Sequence, residues 1–107
     1  MISGVDPFGR TILLSRAVWQ THVLTQRPWM AGNEESLVQA IAAPSWINHD
    51  VDYEDRECFY AEHALPAFPH LLIKVVVQFD DDANGTVITV YPLKRQKASE
   101  ARKWPTP

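Results

Sequence analysis

The feature that most constrains this fold is a β-hairpin predicted between residues 71 and 91. Residues 71–79 are rich in β-branched side chains and fit a central strand. The run Asp80–Gly85 ends in Asn-Gly, a sequence typical of tight hairpin turns, and residues 86–91 fit the returning strand. A chain with this hairpin has to build an antiparallel sheet around it.

The segments before the hairpin predict two helices and further short strands. Ser15 suits a helix N-cap, and Pro28 ends the helix that we expect from about Arg16 to Gln26. Gly32-Asn33 forms a turn and N-cap, and a second short helix runs from Glu34 to before Pro44. Residues 1–10 read as an irregular lead-in, residues 11–14 as a short edge strand, residues 45–49 as an extended stretch and residues 56–62 as a strand.

This order of elements predicts the fold class. We expect an α+β fold in which two N-terminal helices pack on one face of an antiparallel sheet of roughly three to five strands. The other face of the sheet would be left open for a functional site.

The charge distribution divides the chain unevenly. Residues 1–93 hold five Lys or Arg against twelve Asp or Glu, a net −7, whereas residues 94–107 hold five against one, a net +4. A chain of 107 residues is the size of one domain. We therefore expect one domain over residues 1–95 and a basic C-terminal tail over residues 96–107, which either contacts phosphates or stays solvated.

Cysteine usage and hydropathy bound the cellular setting. Cys58 is the single cysteine, so no intrachain disulfide can form, and no Cys/His spacing suits zinc. The N-terminus lacks a signal-peptide pattern, and no stretch is long and apolar enough to span a membrane. We expect a cytoplasmic protein that has no membrane partner, no cofactor and no metal site; the run 80–82 of three aspartates is typical of a solvated hairpin tip.

Two groups of side chains could carry chemistry on the open sheet face. A period of two in the last strand places Val87, Thr89 and Tyr91 on one face, with Ile88 and Val90 packing on the helices. By the same parity, one face of the strand predicted over residues 56–62 carries Arg56, Cys58 and Tyr60. Thr and Tyr are also ordinary strand residues, so a purely structural role stays open.

One histidine and two arginines stand out in the acidic part of the chain. His22 lies on the first predicted helix and could serve as general acid or base, or could be a histidine at the edge of the core. Arg27 and Arg56 could hold a phosphate through bidentate donors, although Arg56 could equally pair with a nearby carboxylate.

These pieces, taken in order, resemble the phage-type members of the Barnase-EndoU-Colicin E5/D-RelE-like (BECR) nuclease superfamily. The resemblance covers about residues 6–95. It is carried by Asp6-Pro7-Phe8-Gly9-Arg10, Trp19-x-x-His22, Pro44-x-x-Ile47, Phe59-Tyr60, Val75–Val77 and Thr89-x-Tyr91.

The resemblance implies a small metal-independent endoribonuclease, toxin-like or phage-derived, that cleaves RNA by attack of the 2′-hydroxyl. His22 would be the base or acid, Arg56 the phosphate clamp, and Thr89 and Tyr91 hydrogen-bonding groups at the phosphate. Arg27, Tyr60, Lys94 and Arg95 would bind substrate. Related sequences carry a histidine at the position of Arg27, and an arginine can hold a phosphate but cannot exchange a proton.

The expected partners are RNA and an antitoxin or immunity protein that covers the open face. The alternative is a catalytically inactive module of the same fold that binds protein or nucleic acid. The acidic body of the chain and the arginine at position 27 favour that alternative.

Overall fold

A computed structural model describes residues 2–106 of the chain, and residues 1 and 107 of the predicted lead-in and tail lie outside them. Its main element is one seven-stranded sheet with the strand order β1-β2-β6-β5-β4-β3-β7. Neighbouring strands are antiparallel except β2 and β6, which are parallel. The strands are β1 (Ile2–Val5), β2 (Thr11–Leu14), β3 (Trp46–His49), β4 (Arg56–Glu62), β5 (Leu72–Phe79), β6 (Asn84–Leu93) and β7 (Arg102–Trp104).

The helices are short. Helix α1 (Arg16–Val18) begins at Ser15, whose hydroxyl accepts from the Val18 backbone N–H at 3.1 Å, and it continues as a π-helical segment (Trp19–Leu24). A single 3₁₀ turn (Pro28–Met30) follows, and α2 (Glu34–Ala42) is the longest helix among residues 2–106. The Asn33 side chain makes no capping hydrogen bond at α2. The turn before α2 is present as predicted, but the side-chain cap is not.

The predicted fold class is therefore wrong in two respects. The sheet is mixed and has seven strands, because the predicted lead-in contributes β1 and the C-terminal segment contributes β7. The helical part amounts to short segments, since the first predicted helix is largely one π-helical stretch. β1 (Ile2–Val5) contains Ser3 and Gly4, and β7 (Arg102–Trp104) contains two cationic residues, so neither has the β-branched, alternating composition that indicates a strand. Both are held by pairing with β2 and β3.

The core lies between the helices and one face of the sheet, here called the helix face. Trp19, Val23, Met30, Leu37 and Ile41 pack from the helical side. They meet a central set of strand side chains, and burial of these apolar groups is the dominant stabilising contribution. That set comprises Ile12, Leu14, Ile47, Phe59, Ala61, Ile73, Val75, Val77, Val87 and Val90.

A β-bulge in β6 changes which side chains share a face. Val77 pairs with Val87 whereas Val76 pairs with Thr89, so Ile88 is an extra residue on its strand. Val87 therefore lies on the helix face and Ile88 packs on the opposite face, so two predictions are wrong: that Val87 shares a face with Thr89 and Tyr91, and that Ile88 packs on the helices. Strict alternation cannot anticipate a bulge, because the extra residue resets the parity of the strand.

A buried ion-pair network fixes the β1–β2 loop to the sheet. The Arg10 guanidinium binds Asp6 at 2.7 Å and binds Glu57 through two bonds of 3.0 and 2.8 Å. Lys103 Nζ reaches the same Glu57 carboxylate at 2.6 Å. Asp6 also accepts from two backbone N–H groups of its own loop, and Gly9 adopts the positive φ of 81° that this loop needs. In the structure, the Asp-Pro-x-Gly-Arg motif is thus a loop anchor.

The opposite face of the sheet, here called the second face, is not open. The chain after β6 turns back over it, and Glu100 is buried there with 7% of its surface exposed. The same segment then forms β7 at the edge of the sheet beside β3. Any site on the second face has to be built around this cover.

Candidate functional site

Six cationic and aromatic side chains form a row across the second face, which we call the cation–aromatic row. Its four central members are aligned by strand register, with Tyr91 opposite Lys74, Lys74 opposite Tyr60, and Tyr60 opposite Trp46. The row continues at both ends with an arginine. Its members in spatial order are Arg27, Tyr91, Lys74, Tyr60, Trp46 and Arg102.

The distances along the row are those of cation–π and stacking contacts. Lys74 Nζ lies 5.5 Å from the Tyr91 ring centroid and 5.7 Å from that of Tyr60. The Tyr60 and Trp46 rings stack at 5.5 Å with 20° between their planes. Arg102 lies 5.5 Å from the Trp46 ring and Arg27 lies 5.8 Å from the Tyr91 ring. Aromatic faces and cations on a sheet surface are what single-stranded nucleic acid needs for base stacking and phosphate neutralisation.

The centre of the row is closed by Glu100. Its carboxylate accepts from Lys74 Nζ at 2.6 Å and from the Tyr60 hydroxyl at 2.8 Å. Asn48 Nδ2 donates to it at 3.2 Å and also to Gln96 at 3.1 Å. The middle of the row is therefore covered, and its two ends are the parts that a ligand can reach.

Burial and pairing fix the protonation states at the centre. Burial is the largest single influence on Lys74 and would lower its pKa, but the hydrogen bond to Glu100 and the neighbouring groups of Cys58, Tyr91 and Tyr60 together outweigh burial, so the pKa is raised. Burial raises the pKa of the Tyr60 hydroxyl, and the bond to Glu100 raises it further. Lys74 is thus a fixed ammonium and Tyr60 a fixed phenol near neutral pH, and neither is suited to exchange protons there.

His22 lies on the π-helical segment and its side chain is exposed. Within residues 2–106, no hydrogen bond joins it to Arg56, Thr89 or Tyr91. Short π-helical stretches recur at functional sites. This one ends at Leu24, and the Arg27 backbone N–H donates to the Val23 carbonyl oxygen, four residues back, at 2.8 Å.

Arg27 brings the end of the helical segment to the last long strand. Its guanidinium lies 5.8 Å from the Tyr91 ring and donates a hydrogen bond of 3.2 Å to the neighbouring Gln26 side chain. Thr89 lies two residues before Tyr91 on the same face, opposite Val76. The structure therefore brings Arg27, Tyr91 and Thr89 into one region, which we call the Tyr91 end of the row.

Arg56 shares the second face but lies away from that region. Arg56 pairs with Gln78 of β5. On β4, Arg56 lies four residues before Tyr60, a distance of about 13 Å along the strand. Its Nε donates to Gln78 at 3.2 Å, and its guanidinium lies 4.0 Å from the Tyr53 ring. Arg56 and Tyr91 are too far apart to hold the same phosphate in this arrangement.

The remaining predicted substrate residues occupy two settings. Tyr60 is fully buried and its hydroxyl is used by Glu100. Lys94 and Arg95 are exposed and line a pocket of about 460 Å³ at the Trp46 end of the row.

Lys74, Trp46 and Glu100 were not singled out from the sequence. A signal existed for Lys74, because a lone charge inside the apolar run 72–77 has to find a buried partner. Nothing local marks Glu100 as that partner, since it sits 26 residues away in a basic segment.

The described part of the chain holds neither a cluster of metal ligands nor a helix suited to a membrane. Among residues 2–106, no three His, Cys, Asp or Glu side chains are grouped as metal ligands would be. Asp81 of the hairpin tip instead accepts hydrogen bonds from Ala83 and Asn84. None of the helices among these residues has the length and apolar character to cross a membrane.

Comparison with protein-family models, with curated proteins and with solved structures finds no match to this chain. The resemblance to the BECR superfamily therefore stays a prediction.

Proposed function

We propose that this protein is a small endoribonuclease that cleaves RNA without a metal ion, with the reacting phosphate held at the Tyr91 end of the row. The observation that carries the proposal is the contact between Arg27 and Tyr91, 5.8 Å from guanidinium to ring. It joins a permanent cation from the helical segment to the strand that carries Thr89, so phosphate-binding and hydroxyl groups meet at one accessible place.

The reaction that suits these groups is internal transfer at phosphorus. His22 accepts the proton of the RNA 2′-hydroxyl, the 2′-oxygen forms a bond to phosphorus, and the bond from phosphorus to the 5′-oxygen breaks. The departing oxygen takes a proton from solvent, which leaves a 2′,3′-cyclic phosphate and a 5′-hydroxyl end. Arg27 stabilises the extra negative charge on the phosphoryl oxygens, and the Thr89 and Tyr91 hydroxyls donate hydrogen bonds to them.

The test is cleavage of a fluorescent single-stranded RNA in EDTA by the purified protein. We expect a cyclic phosphate product, no cleavage where the scissile nucleotide is 2′-deoxy, and at least a hundredfold loss of rate for His22→Ala. His49→Gln is the matched control, because His49 is also an exposed histidine but lies on β3. Absence of cleavage by the wild type, or equal rates for wild type and His22→Ala, refutes the catalytic proposal.

A non-catalytic RNA-binding module is the second candidate. Two of the predicted site residues already have partners within the protein, which favours this candidate. Arg56 contacts Gln78 and Tyr53, and the Tyr60 hydroxyl donates to Glu100. This candidate predicts salt-sensitive RNA binding without cleavage and without any effect of His22→Ala. An antitoxin or immunity protein is a further proposed partner, to be sought by binding tests with small proteins encoded beside this chain.

A further inference from the structure

The pocket at the Trp46 end of the row is lined by more cationic than acidic side chains, although the chain as a whole carries a net negative charge. It has a volume of about 460 Å³, within the range of small-molecule sites. Lys94, Arg95 and Arg102 line it together with one carboxylate, Glu62. Three of the ten Lys and Arg residues of the whole chain therefore meet at one concave surface.

The same pocket has an aromatic wall. Trp46 lines it, is held from one side by stacking on Tyr60 and contacts Arg102 through a cation–π interaction. The Trp46 indole N–H is buried and finds no acceptor among residues 2–106. A fixed indole beside guanidinium groups can stack a nucleobase while the cations hold a phosphate.

His63 is the most constrained residue of the pocket wall. Its backbone has φ of 56°, in the left-handed region that residues other than glycine rarely adopt. Its Nδ1 lies 2.8 Å from the Pro69 carbonyl oxygen, and because a carbonyl can only accept, Nδ1 carries a proton. The ring is thereby oriented with Nε2 as its remaining polar atom. Backbone strain of this kind concentrates at functional sites.

His70 lines the same pocket beside His63, so two imidazoles accompany the three cations. From these observations we infer that the pocket binds a nucleoside monophosphate unit, either free or as part of an RNA strand. Lys94, Arg95 and Arg102 hold the phosphate, Trp46 stacks on the base, and His63 Nε2 accepts a hydrogen bond from a ribose hydroxyl. Like the proposed function, this inference concerns a ribonucleotide ligand, but it does not depend on cleavage of RNA.

The test is calorimetric titration of the full chain in EDTA with a nucleoside 3′-monophosphate. Inorganic phosphate and the matching nucleoside form the two comparison arms. We expect saturable binding of the nucleotide, and at least tenfold weaker binding of each separate part. Equal affinity for inorganic phosphate overturns the role of the base, and equal affinity for the nucleoside overturns the role of the cations.

Variants assign the binding to this pocket. Lys94→Gln combined with Arg95→Gln is expected to weaken nucleotide binding at least tenfold. Lys97→Gln is the matched control, since Lys97 is an exposed cation of the same segment that does not line the pocket. Equal losses for Lys97→Gln and for the double variant, or no saturable binding by the wild type, overturn the inference.

A variant of His63 tests the part that its imidazole plays in nucleotide binding. His63→Gly relieves the left-handed backbone while removing the imidazole, so we expect weaker nucleotide binding with the melting temperature retained. A retained affinity overturns the role of His63. Cleavage of RNA and binding of the nucleotide are measured separately on the same wild-type protein, so a failure of the one and a failure of the other are distinguishable.

Discussion

Lys74 Nζ lies 2.6 Å from Glu100 Oε2, and both side chains are almost completely buried on the second face of the sheet. This ion pair connects the central strand β5 to the segment that follows β6. Together with the Tyr60 and Asn48 hydrogen bonds to Glu100, it holds that segment over the middle of the cation–aromatic row.

Breaking this pair is expected to destabilise the protein strongly. Glu100→Gln leaves the Lys74 ammonium buried without a counter-charge, and we expect a loss of about 3–5 kcal/mol in the free energy of unfolding. Urea denaturation followed by circular dichroism measures it. Combining Glu100→Gln with Lys74→Met should recover much of the loss, and Ser99→Ala at an exposed neighbour is the control. A loss below about 1 kcal/mol for Glu100→Gln would contradict a tightly buried pair.

Stability is expected to fall in acid because of Glu57. Burial is the largest single influence and would raise the pKa of this carboxyl, but the hydrogen bonds from Arg10 and Lys103 and their positive charges together outweigh burial, so the pKa lies below its ordinary value of 4.5. A lowered folded-state pKa stabilises the protein above pH 4.5, and this contribution is lost as the pH falls through the folded-state value. The free energy of unfolding between pH 7 and pH 3 should show this decline.

Replacing Glu57, and separately an exposed glutamate as the control, tests whether Glu57 causes the loss of stability in acid. Glu57→Gln should lower stability at neutral pH and flatten its decline in acid, because the titrating group is gone. Glu54→Gln, at an exposed position of the preceding loop, should leave the decline unchanged. An unchanged pH profile for Glu57→Gln would show that other carboxyls cause the acid sensitivity.

Cys58 is expected to be unreactive in the folded protein. Burial raises the pKa of the thiol to about 12, and the Asp50 carboxylate 3.7 Å from Sγ favours the protonated form. The thiolate is the reactive form, so Ellman's reagent at pH 8 should label the native chain far more slowly than the urea-unfolded chain. Cys58→Ser combined with Ser99→Cys, which places a thiol at an exposed position, should react rapidly without denaturant. Fast labelling of native Cys58 would contradict its burial.

Gly85 is expected to resist substitution because β6 approaches its neighbour closely there. A Cβ atom at this position would lie 2.7 Å from Val77 Cγ1 and 2.9 Å from the Phe79 ring. Gly85→Ala should therefore cost about 1–3 kcal/mol through overpacking, measured by urea denaturation. Ala83→Ser, which adds one atom in the exposed turn nearby, should cost much less. Equal stability of Gly85→Ala and the wild type would show that the strand pair can separate.

Several elements could be predicted because their patterns are local. The strand over residues 56–62 and the hairpin of β5 and β6 are present, although Asn84 and Gly85, predicted to lie in the turn, begin strand β6. Ser15 caps α1 as predicted because a hydroxyl and the backbone N–H groups of the first turn are close in sequence.

Less of the candidate site than of the fold could be predicted from the sequence. Parity placed Thr89 and Tyr91 on the face away from the helices, where the structure also has them, but the bulge at Ile88 separated Val87 from that set. The distance between Arg56 and Tyr91 follows from strand register, which depends on how residues from different strands pair. Trp46, His63 and Arg102 lie far apart in sequence, so their meeting in one pocket has no local signature.

The amino-acid sequence by itself determined the hairpin, the capped helix start and the net positive charge of the C-terminal segment. Each depends on neighbouring residues or on composition. Only the tertiary structure decided that this segment returns over the sheet, because the buried Lys74 ammonium requires a carboxylate and Glu100 supplies it from 26 residues away. The same return completes the Trp46 pocket and leaves the Tyr91 end accessible, so the positions of both candidate sites follow from one long-range ion pair.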